Sequence, residues 1–336
     1  MFAGISLVSL GLVFALTYNE QTVEALQQLD PIYLVLLAGV WLTAITFDSC
    51  SFYFYTRGTD EHLSFWSSYK SATLRIFFNI ITPFSFGGQP FVIFSLQKRG
   101  VPTGKASSVV FTKLIMVSVY VLVGAIIAFF IFPEDIGGIP AVNTIFLLSL
   151  GLQVVFILLL VLSMFYPHAI IRILQKLGNV LSKIHLIKNP HHFSKRVLIE
   201  ANVARRSFRK YFRQHLLSFV VGTLAIGFMY IAEASMLFVV FKGLGVDLRY
   251  IDAVALGALL IFVISFMPTP GNAGLGEALF VLVFSGSAPS YVLGIAVILW
   301  RFFYNYISAG LGAIFSSQQF SGIFQRKSVA PETNEP

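Results

Sequence analysis

This sequence contains very little cysteine and few charged residues. A single cysteine, Cys50, stands in 336 residues, so the chain has no disulfide framework and no cysteine-based metal site. Only 11% of the residues are charged while 57% are hydrophobic, and the mean hydropathy is +0.81. A soluble domain of this length needs far more polar surface. The composition therefore predicts an all-α membrane protein that crosses the bilayer several times.

Acidic residues are almost missing from the stretch 167–215. Eleven of the 23 lysines and arginines and five of the six histidines lie there, opposed only by Glu200. A basic loop beside membrane spans is typical of the cytoplasmic side and attracts anionic lipid headgroups. This distribution explains the net charge of +8, so we expect no nucleic-acid partner. Apolar residues at helical spacing predict an interfacial helix over 168–183.

Metal and cofactor sites have no support in the sequence. His191 and His192 are adjacent, but no acid or cysteine accompanies them in a ligand pattern. We therefore predict no metal site and no cofactor.

Six segments are apolar enough to cross a membrane, since a span needs roughly 20 apolar residues. They are 2–17, 31–56, 105–132, 142–166, 216–241 and 291–317. Acids without bases separate the first from the second and the third from the fourth. The positive-inside rule then places both termini in the cytoplasm. We expect one membrane domain over 1–325 and a polar cytoplasmic tail over 326–336.

Two further apolar stretches, 64–99 and 251–286, each contain a break rich in glycine and proline. The breaks read TPFSFGGQP at 82–90 and PTPGNAGLGE at 268–277. Backbone that is not helical at membrane depth is tolerated only where it is buried in protein or lines a cavity. Broken helices at corresponding places in two halves indicate a transporter binding site. We expect two re-entrant helical hairpins that enter from opposite sides.

The two halves align without gaps when 31–132 is placed on 216–317. This alignment sets Pro83 of the first break on Pro268 of the second, and it sets Asp48 on Glu233. The first unit starts outside and the second inside, so the pattern predicts an inverted repeat.

Six ionisable residues fall inside the predicted membrane segments. They are Asp48, Arg75, Lys113, Glu233, Glu277 and Arg301. A charge at the centre of a span costs about 2.5–3.5 kcal/mol, so these groups must pair, meet water or reach the interface. Three are acidic and three basic, which leaves purely structural ion pairs as an alternative to a functional role.

The returning helix of each hairpin begins just after its glycines. Its unpaired N–H groups and positive dipole end would form an anion site suited to a phosphate. Arg75 and Arg301 would add bidentate contacts, and Lys113 is a further candidate. Asp48 and Glu233 are expected near the two mouths of this cavity, where they suit a headgroup amine or proton coupling. Replacing Arg301 by leucine is expected to leave insertion and folding intact and to reduce lipid movement.

The two breaks also carry a family resemblance. TPFSFGGQPFVIFSLQKRGV, followed by a lysine-containing span, resembles the first motif of the lysylphosphatidylglycerol synthase transmembrane (flippase-like) family, and PTPGNAGLGEALF resembles the second. The resemblance covers roughly 1–320. It implies substrate-binding roles for Gly87, Gly88, Gln89, Pro90, Pro270, Gly271, Gly274 and Glu277. Family members often carry an acid where this chain has Gln89.

The resemblance implies movement of a phospholipid between leaflets. In two-domain members the membrane part is taken to move aminoacylated phosphatidylglycerol, while a soluble domain makes that lipid. We predict a lipid flippase of the bacterial cytoplasmic membrane, with membrane phospholipids as its partners. Two alternatives stay open, a lipid-modifying transferase and a small-solute permease. The transferase would need a nucleophile–base pair or a metal cluster, and the sequence offers neither. The oligomeric state is left open.

Overall fold

The computed structural model of the protein describes most of the membrane part. The described residues are 11, 14, 15, 18, 20–27, 29–82, 87–131, 140–166 and 190–325. The predicted first span at 2–17 falls mostly outside them. The predicted helix at 168–183 and the tail at 326–336 fall wholly outside them.

Every regular element in these ranges is helical. The helices are α1 Glu20–Gln27, α2 Pro31–Arg57, α3 Phe65–Ile81, α4 Gly88–Lys98, α5 Thr103–Ile131, α6 Pro140–Phe165, α7 Pro190–Arg213, α8 Leu216–Gly243, α9 Tyr250–Ile264, α10 Leu275–Phe284, α11 Ser290–Arg301 and α12 Ile307–Gln325. A 3₁₀ turn at Pro270–Asn272 precedes α10, and a π-helical turn at Phe302–Tyr306 joins α11 to α12.

Five helical stretches are long and apolar enough to cross a membrane. They are Pro31–Arg57, Thr103–Ile131, Thr144–Phe165, Leu216–Gly243 and Ser290–Gln319. They confirm five of the six predicted spans, and the chain is a multi-pass membrane protein. Local chemistry sets their limits: Asp30 accepts a hydrogen bond from the Ile32 N–H at 2.9 Å, and Pro31 occupies the first turn of α2.

Helices α2 and α8 pack side by side in opposite directions. At one end the Tyr55 hydroxyl bonds Thr223 at 2.9 Å, joining the end of α2 to the start of α8. At the other end Gly243 packs against Tyr33 and Leu29, joining the end of α8 to the start of α2. This antiparallel pair forms the centre of the molecule.

The first break, at 82–87, connects two antiparallel arms, α3 and α4. The Gly88 N–H donates to the Asn79 side chain at 2.9 Å where the arms are joined. Arg99, just past the far end of α4, donates to the Ser71 hydroxyl at 3.2 Å. Helix α4 therefore ends on the same side of the molecule on which helix α3 begins.

The second break, at 265–274, separates α9 from α10, which also contact each other. The alignment that sets 31–132 on 216–317 pairs the first residue of α2 with that of α8, and the first residue of α3 with that of α9. Helices α10 and α11 begin slightly later than their alignment with α4 and α5 predicts. The same order of long helix, broken pair and long helix thus occurs twice, with helix starts close to the predicted positions.

Helix α7 is amphipathic and packs across the ends of α2 and α5. Its apolar face places Ala204, Phe208 and Tyr211 at helical spacing, all buried, and the Tyr211 hydroxyl donates to the Tyr55 carbonyl at 2.7 Å. Charged groups lie around this contact. A hydrogen bond from Lys210 keeps the pKa of Asp60 below its usual value.

A Gly58→Ala substitution should loosen this packing. A methyl group at Gly58 would overlap the Tyr211 ring, and the backbone there is ordinary right-handed helix, so the effect is purely steric. We expect a loss of about 1–3 kcal/mol of stability, typical of overpacking. Thermal unfolding in detergent and proteolysis within α7 measure it. The matched control is Gly39→Ala in α2, which meets nothing within 4 Å and should be neutral or stabilising.

Candidate functional site

A cavity of about 200 Å³ is lined by Gln89, in the first turn of α4, and by Gly271 and Asn272 of the second break. Helices α3, α5, α6, α8 and α9, the second break and the π-helical turn contribute its walls. Its polar lining comprises Arg75, Asn79, Gln89, Ser118, Gln153, Tyr230, Glu233, Ser265, Asn272, Tyr304 and Asn305. A polar cavity among apolar helices is costly unless water or a ligand satisfies it, which makes this space the candidate site.

Several amides on the cavity wall belong to otherwise apolar helices. Gln153 is satisfied, because its side-chain amide donates to the Ser118 carbonyl at 2.9 Å. The Asn272 side-chain oxygen is buried and has no hydrogen-bond partner among the described residues. Asn305 is only 8% exposed and lines the same cavity. Such groups need a partner inside the cavity.

Asp48 on α2 is the centre of a buried ion cluster. One carboxylate oxygen accepts from Arg75 of α3 at 3.0 Å, and the other accepts from Lys113 of α5. Lys113 also donates to the Asp48 carbonyl at 3.0 Å and lies 3.6 Å from the Phe52 ring centroid. Lys113 is thus fully engaged by α2, and its side chain is 3% exposed. Its predicted contact with a headgroup would require this pair to open.

Arg75 differs from Lys113 because its guanidinium is only partly engaged. The Nη2 atom donates to Asp48, while Nε is buried and finds no hydrogen-bond partner in the described part of the chain. A guanidinium carries five donors in a planar fork. Arg75 lines the cavity with its side chain 18% exposed, and Asp48 uses only one of its nitrogens.

Glu233 on α8 lines the polar cavity and also a smaller one of about 20 Å³. Asp48 and Arg75 lie on the wall of that smaller cavity. No hydrogen bond or ion pair reaches the Glu233 carboxylate from the described residues. The expectation that Asp48 and Glu233 lie at separate mouths is wrong. Because α2 and α8 are antiparallel, both acids stand near mid-helix beside the same arginine.

The second break is held by a buried pair, Glu277 and Arg301. Arg301 Nε lies 2.9 Å from Glu277 Oε1, and both side chains are at most 2% exposed. Arg301 also donates to the carbonyls of Gly271 at 3.0 Å and Asn272 at 2.9 Å. All three guanidinium nitrogens therefore face protein groups, and neither charged residue lines the cavity.

The carbonyls of Gly271 and Asn272 need a donor because the backbone at these two residues is left-handed. Gly271 and Asn272 both have φ of 58°, and Gly274 has φ of 84°. A non-glycine residue at positive φ is strained, so Asn272 persists only because its surroundings hold it. Gly276 leaves room for the guanidinium, since a methyl group there would overlap Arg301 Nη2.

The helix starts at the two breaks are already capped. Gly87 and Gly88 donate their N–H groups to the side chains of Thr82 at 3.0 Å and Asn79 at 2.9 Å. Gly274 donates to Glu277 Oε2 at 2.6 Å. These three N–H groups are therefore satisfied by side chains of the same units and are not available to an anion.

The structure thus divides the predicted site residues into three groups. Arg75, Gln89, Gly271 and Glu233 line the polar cavity, and Asp48 lines the adjoining smaller one. Buried behind the walls or engaged in the breaks are Gly87, Gly88, Lys113, Gly274, Glu277 and Arg301. Pro90 lies in the first turn of α4, and Pro270 begins the 3₁₀ turn of the second break.

Sequence reasoning missed several uncharged polar members of the site. Asn79, Gln153, Tyr230, Asn272 and Asn305 line the cavity, and none was selected from the sequence. The signal was present for three of them. An amide within an apolar helix is costly in lipid, which is the argument that selected the six charged residues.

Comparisons with known proteins identify relatives of this chain. Residues 1–312 match the family described as the lysylphosphatidylglycerol synthase TM region. A UPF0104 membrane protein from Archaeoglobus fulgidus is 25% identical over 322 residues, which cover 92% of this chain and 93% of that protein. No solved structure matches the chain. The family match spans both breaks and reaches into the last of the five described spans, so the chain belongs to the lysylphosphatidylglycerol synthase transmembrane family.

Proposed function

We propose that this protein moves a phosphate-bearing phospholipid, such as an aminoacylated phosphatidylglycerol, between the leaflets of a bacterial cytoplasmic membrane. The observation that carries the proposal is Arg75, a partly exposed guanidinium that lines a polar cavity among apolar helices and gives only one nitrogen to Asp48. Such a group suits a phosphate. The family description names a phosphatidylglycerol derivative, which supports a lipid substrate.

The proposed topology is one membrane domain over 1–325 with both termini in the cytoplasm. We infer that α3–α4 and α9–α10 are re-entrant hairpins within inverted repeats of about 31–132 and 216–317. The antiparallel packing of α2 on α8 and the near-constant offset of helix starts support this inference. The basic stretch 167–215 then faces the cytoplasm, where it attracts anionic lipid headgroups.

The cavity residues then fall into roles. Arg75 holds the phosphate, and Gln89 and Asn272 add hydrogen bonds from the two breaks. Asp48 and Lys113 fix Arg75 in place. The Glu277–Arg301 pair keeps the second break in its left-handed form.

Glu233 suits the amine of an aminoacylated headgroup. Its carboxylate lines the same cavity as Arg75 and is not hydrogen bonded within the described residues. A zwitterionic headgroup would therefore meet a cation and an anion in one cavity. Proton coupling through Glu233 is the alternative. The two roles are distinguished by whether Glu233→Gln slows only lipids with an amine or slows all lipids.

Purified protein in liposomes tests the proposal with three labelled lipids: phosphatidylglycerol, lysylphosphatidylglycerol and a neutral glycolipid without phosphate. Both phosphate lipids should move, and the glycolipid should move only at the rate of protein-free vesicles. Glu233→Gln should slow the lysyl lipid by about tenfold relative to phosphatidylglycerol, since a charged hydrogen bond contributes about 1.5–3 kcal/mol. Glu24→Gln, at an exposed acid on α1, is the matched control.

Three outcomes would count against these roles. Equal movement of the glycolipid would contradict phosphate recognition. Movement of soluble glycerophosphate without any lipid would identify a permease. An equal loss for both phosphate lipids in Glu233→Gln would favour proton coupling over an amine contact.

A further inference from the structure

A second, apolar cavity of about 290 Å³ lies between α5, α8 and α9. Its lining consists almost entirely of aliphatic side chains, small residues and the rings of Tyr120 and Tyr230. Val121, Tyr230 and Ile261 line this cavity and the polar cavity as well. The two spaces are therefore neighbours that share one wall.

The apolar cavity faces the bilayer. On its rim Ile127 and Ile231 are 52% exposed and Ile251 is 50% exposed, and all three belong to apolar helices. Gly124 and Gly227 line it as well, where Ala258 and the Tyr120 ring pack closely against them. At membrane depth only hydrocarbon is available to fill such a space.

The length of this cavity matches one leaflet. Along α5 it extends from Tyr120 to Ile131, or about 16 Å at the rise of an α-helix. Half of a hydrocarbon core is about 15 Å. Ile131 and Ile251 lie at the end of the molecule away from α7, so the cavity belongs to the leaflet opposite the basic stretch.

The two tyrosines stand at the boundary between the polar and apolar spaces. Their rings stack with centroids 6.4 Å apart and planes at 24°. Tyrosine combines an apolar ring with a polar hydroxyl and favours such boundaries. In a lipid, the ester-linked backbone occupies the same position between headgroup and chains.

We propose that this cavity binds one acyl chain of the transported lipid while its headgroup occupies the polar cavity. The inference rests on the proposed function and makes the substrate a long-chain lipid, recognised at both its phosphate and its hydrocarbon. The continuity of the two cavities and the leaflet-length apolar groove carry it. A lipid that merely surrounds the protein would fill the groove without affecting transport.

Val254→Phe tests the proposal by filling the groove from α9. Movement of a lipid with two long chains should fall by about tenfold, the loss expected when roughly two methylene groups are no longer buried. Binding of a short-chain analogue with the same headgroup should stay at the wild-type level. Val220→Phe makes the same change on the lipid-facing side of α8, outside the groove, and should have no effect.

A crosslinking experiment on the wild-type protein tests the proposal even if Val254→Phe folds poorly. Wild-type protein is irradiated with a phosphatidylglycerol that carries a diazirine in one acyl chain. Labelling should concentrate on 120–131 and 251–261 and should be displaced by unlabelled long-chain phosphatidylglycerol but not by the neutral glycolipid. Labelling that either lipid displaces equally, or a folded Val254→Phe with wild-type transport, would overturn the inference. Failure of the proposed function differs, because wild-type protein would then move no lipid of either chain length.

Discussion

Replacing Arg301 by leucine is expected to lower the free energy of unfolding by about 3–5 kcal/mol, the usual effect of leaving a buried charge without its partner. Glu277, which is fully buried, would lose its cation. The carbonyls of Gly271 and Asn272 would lose their donors as well. Unfolding of the purified protein in mixed detergent micelles measures the loss. The structure thus replaces the expectation from sequence that folding survives this change.

Two further variants separate the buried pair from a general effect of charge. A double variant with leucine at both 277 and 301 should recover part of the lost stability, because an apolar pair leaves no buried charge. Arg249→Leu removes an exposed arginine and should leave stability unchanged. If Arg301→Leu unfolds like the wild type and only lipid movement falls, Arg301 contacts the substrate after all.

Replacing Arg75 by glutamine is expected to slow lipid movement by at least about 100-fold. Two charged hydrogen bonds to a phosphate would be lost, each contributing about 1.5–3 kcal/mol, and tenfold corresponds to about 1.4 kcal/mol. The fold should survive better than in Arg301→Leu, because Asp48 keeps Lys113 as a partner. Liposomes with labelled phosphatidylglycerol measure the rate.

The matched control for this prediction is Arg249→Gln, which alters a surface arginine paired with Asp252. Arg75→Lys should recover only part of the rate, since an ammonium cannot reproduce the planar fork of donors. Wild-type transport by a folded Arg75→Gln variant would show that the cavity does not hold the phosphate in this way.

The positions of the spans and breaks could be read from the sequence because their causes are local. A run of about 20 apolar residues is sufficient for a span whatever its neighbours are. Glycine and proline interrupt helices through their own backbone properties. The second break, expected at 268–277, therefore lies close to its predicted place, at 265–274, and the starts of α3 and α9 keep the alignment predicted between the two halves.

The sequence also showed which charged residues lie within apolar segments, but not which residues they pair with. Asp48, Arg75 and Lys113 come from three helices, and no local rule says which of them meet. The same holds for Asn79 and Glu277, whose side chains accept from the N–H groups of Gly88 and Gly274 at the breaks. The amphipathic helix expected at 168–183 lies outside the described residues, and the described one is α7.

By itself, then, the sequence determined the class of protein, five spans, two breaks and a set of costly buried charges, because each follows from a single stretch of chain. Only the tertiary structure decided which of these charged side chains can contact a ligand in the cavity. Both Nη atoms of Arg301 bind carbonyls of the second break and its Nε pairs with Glu277, whereas Arg75 gives only one nitrogen to Asp48 and lies beside Glu233. The physical reason is that a side chain's partners depend on helix packing and direction, and antiparallel α2 and α8 bring Asp48 and Glu233, from opposite halves of the chain, to one cavity.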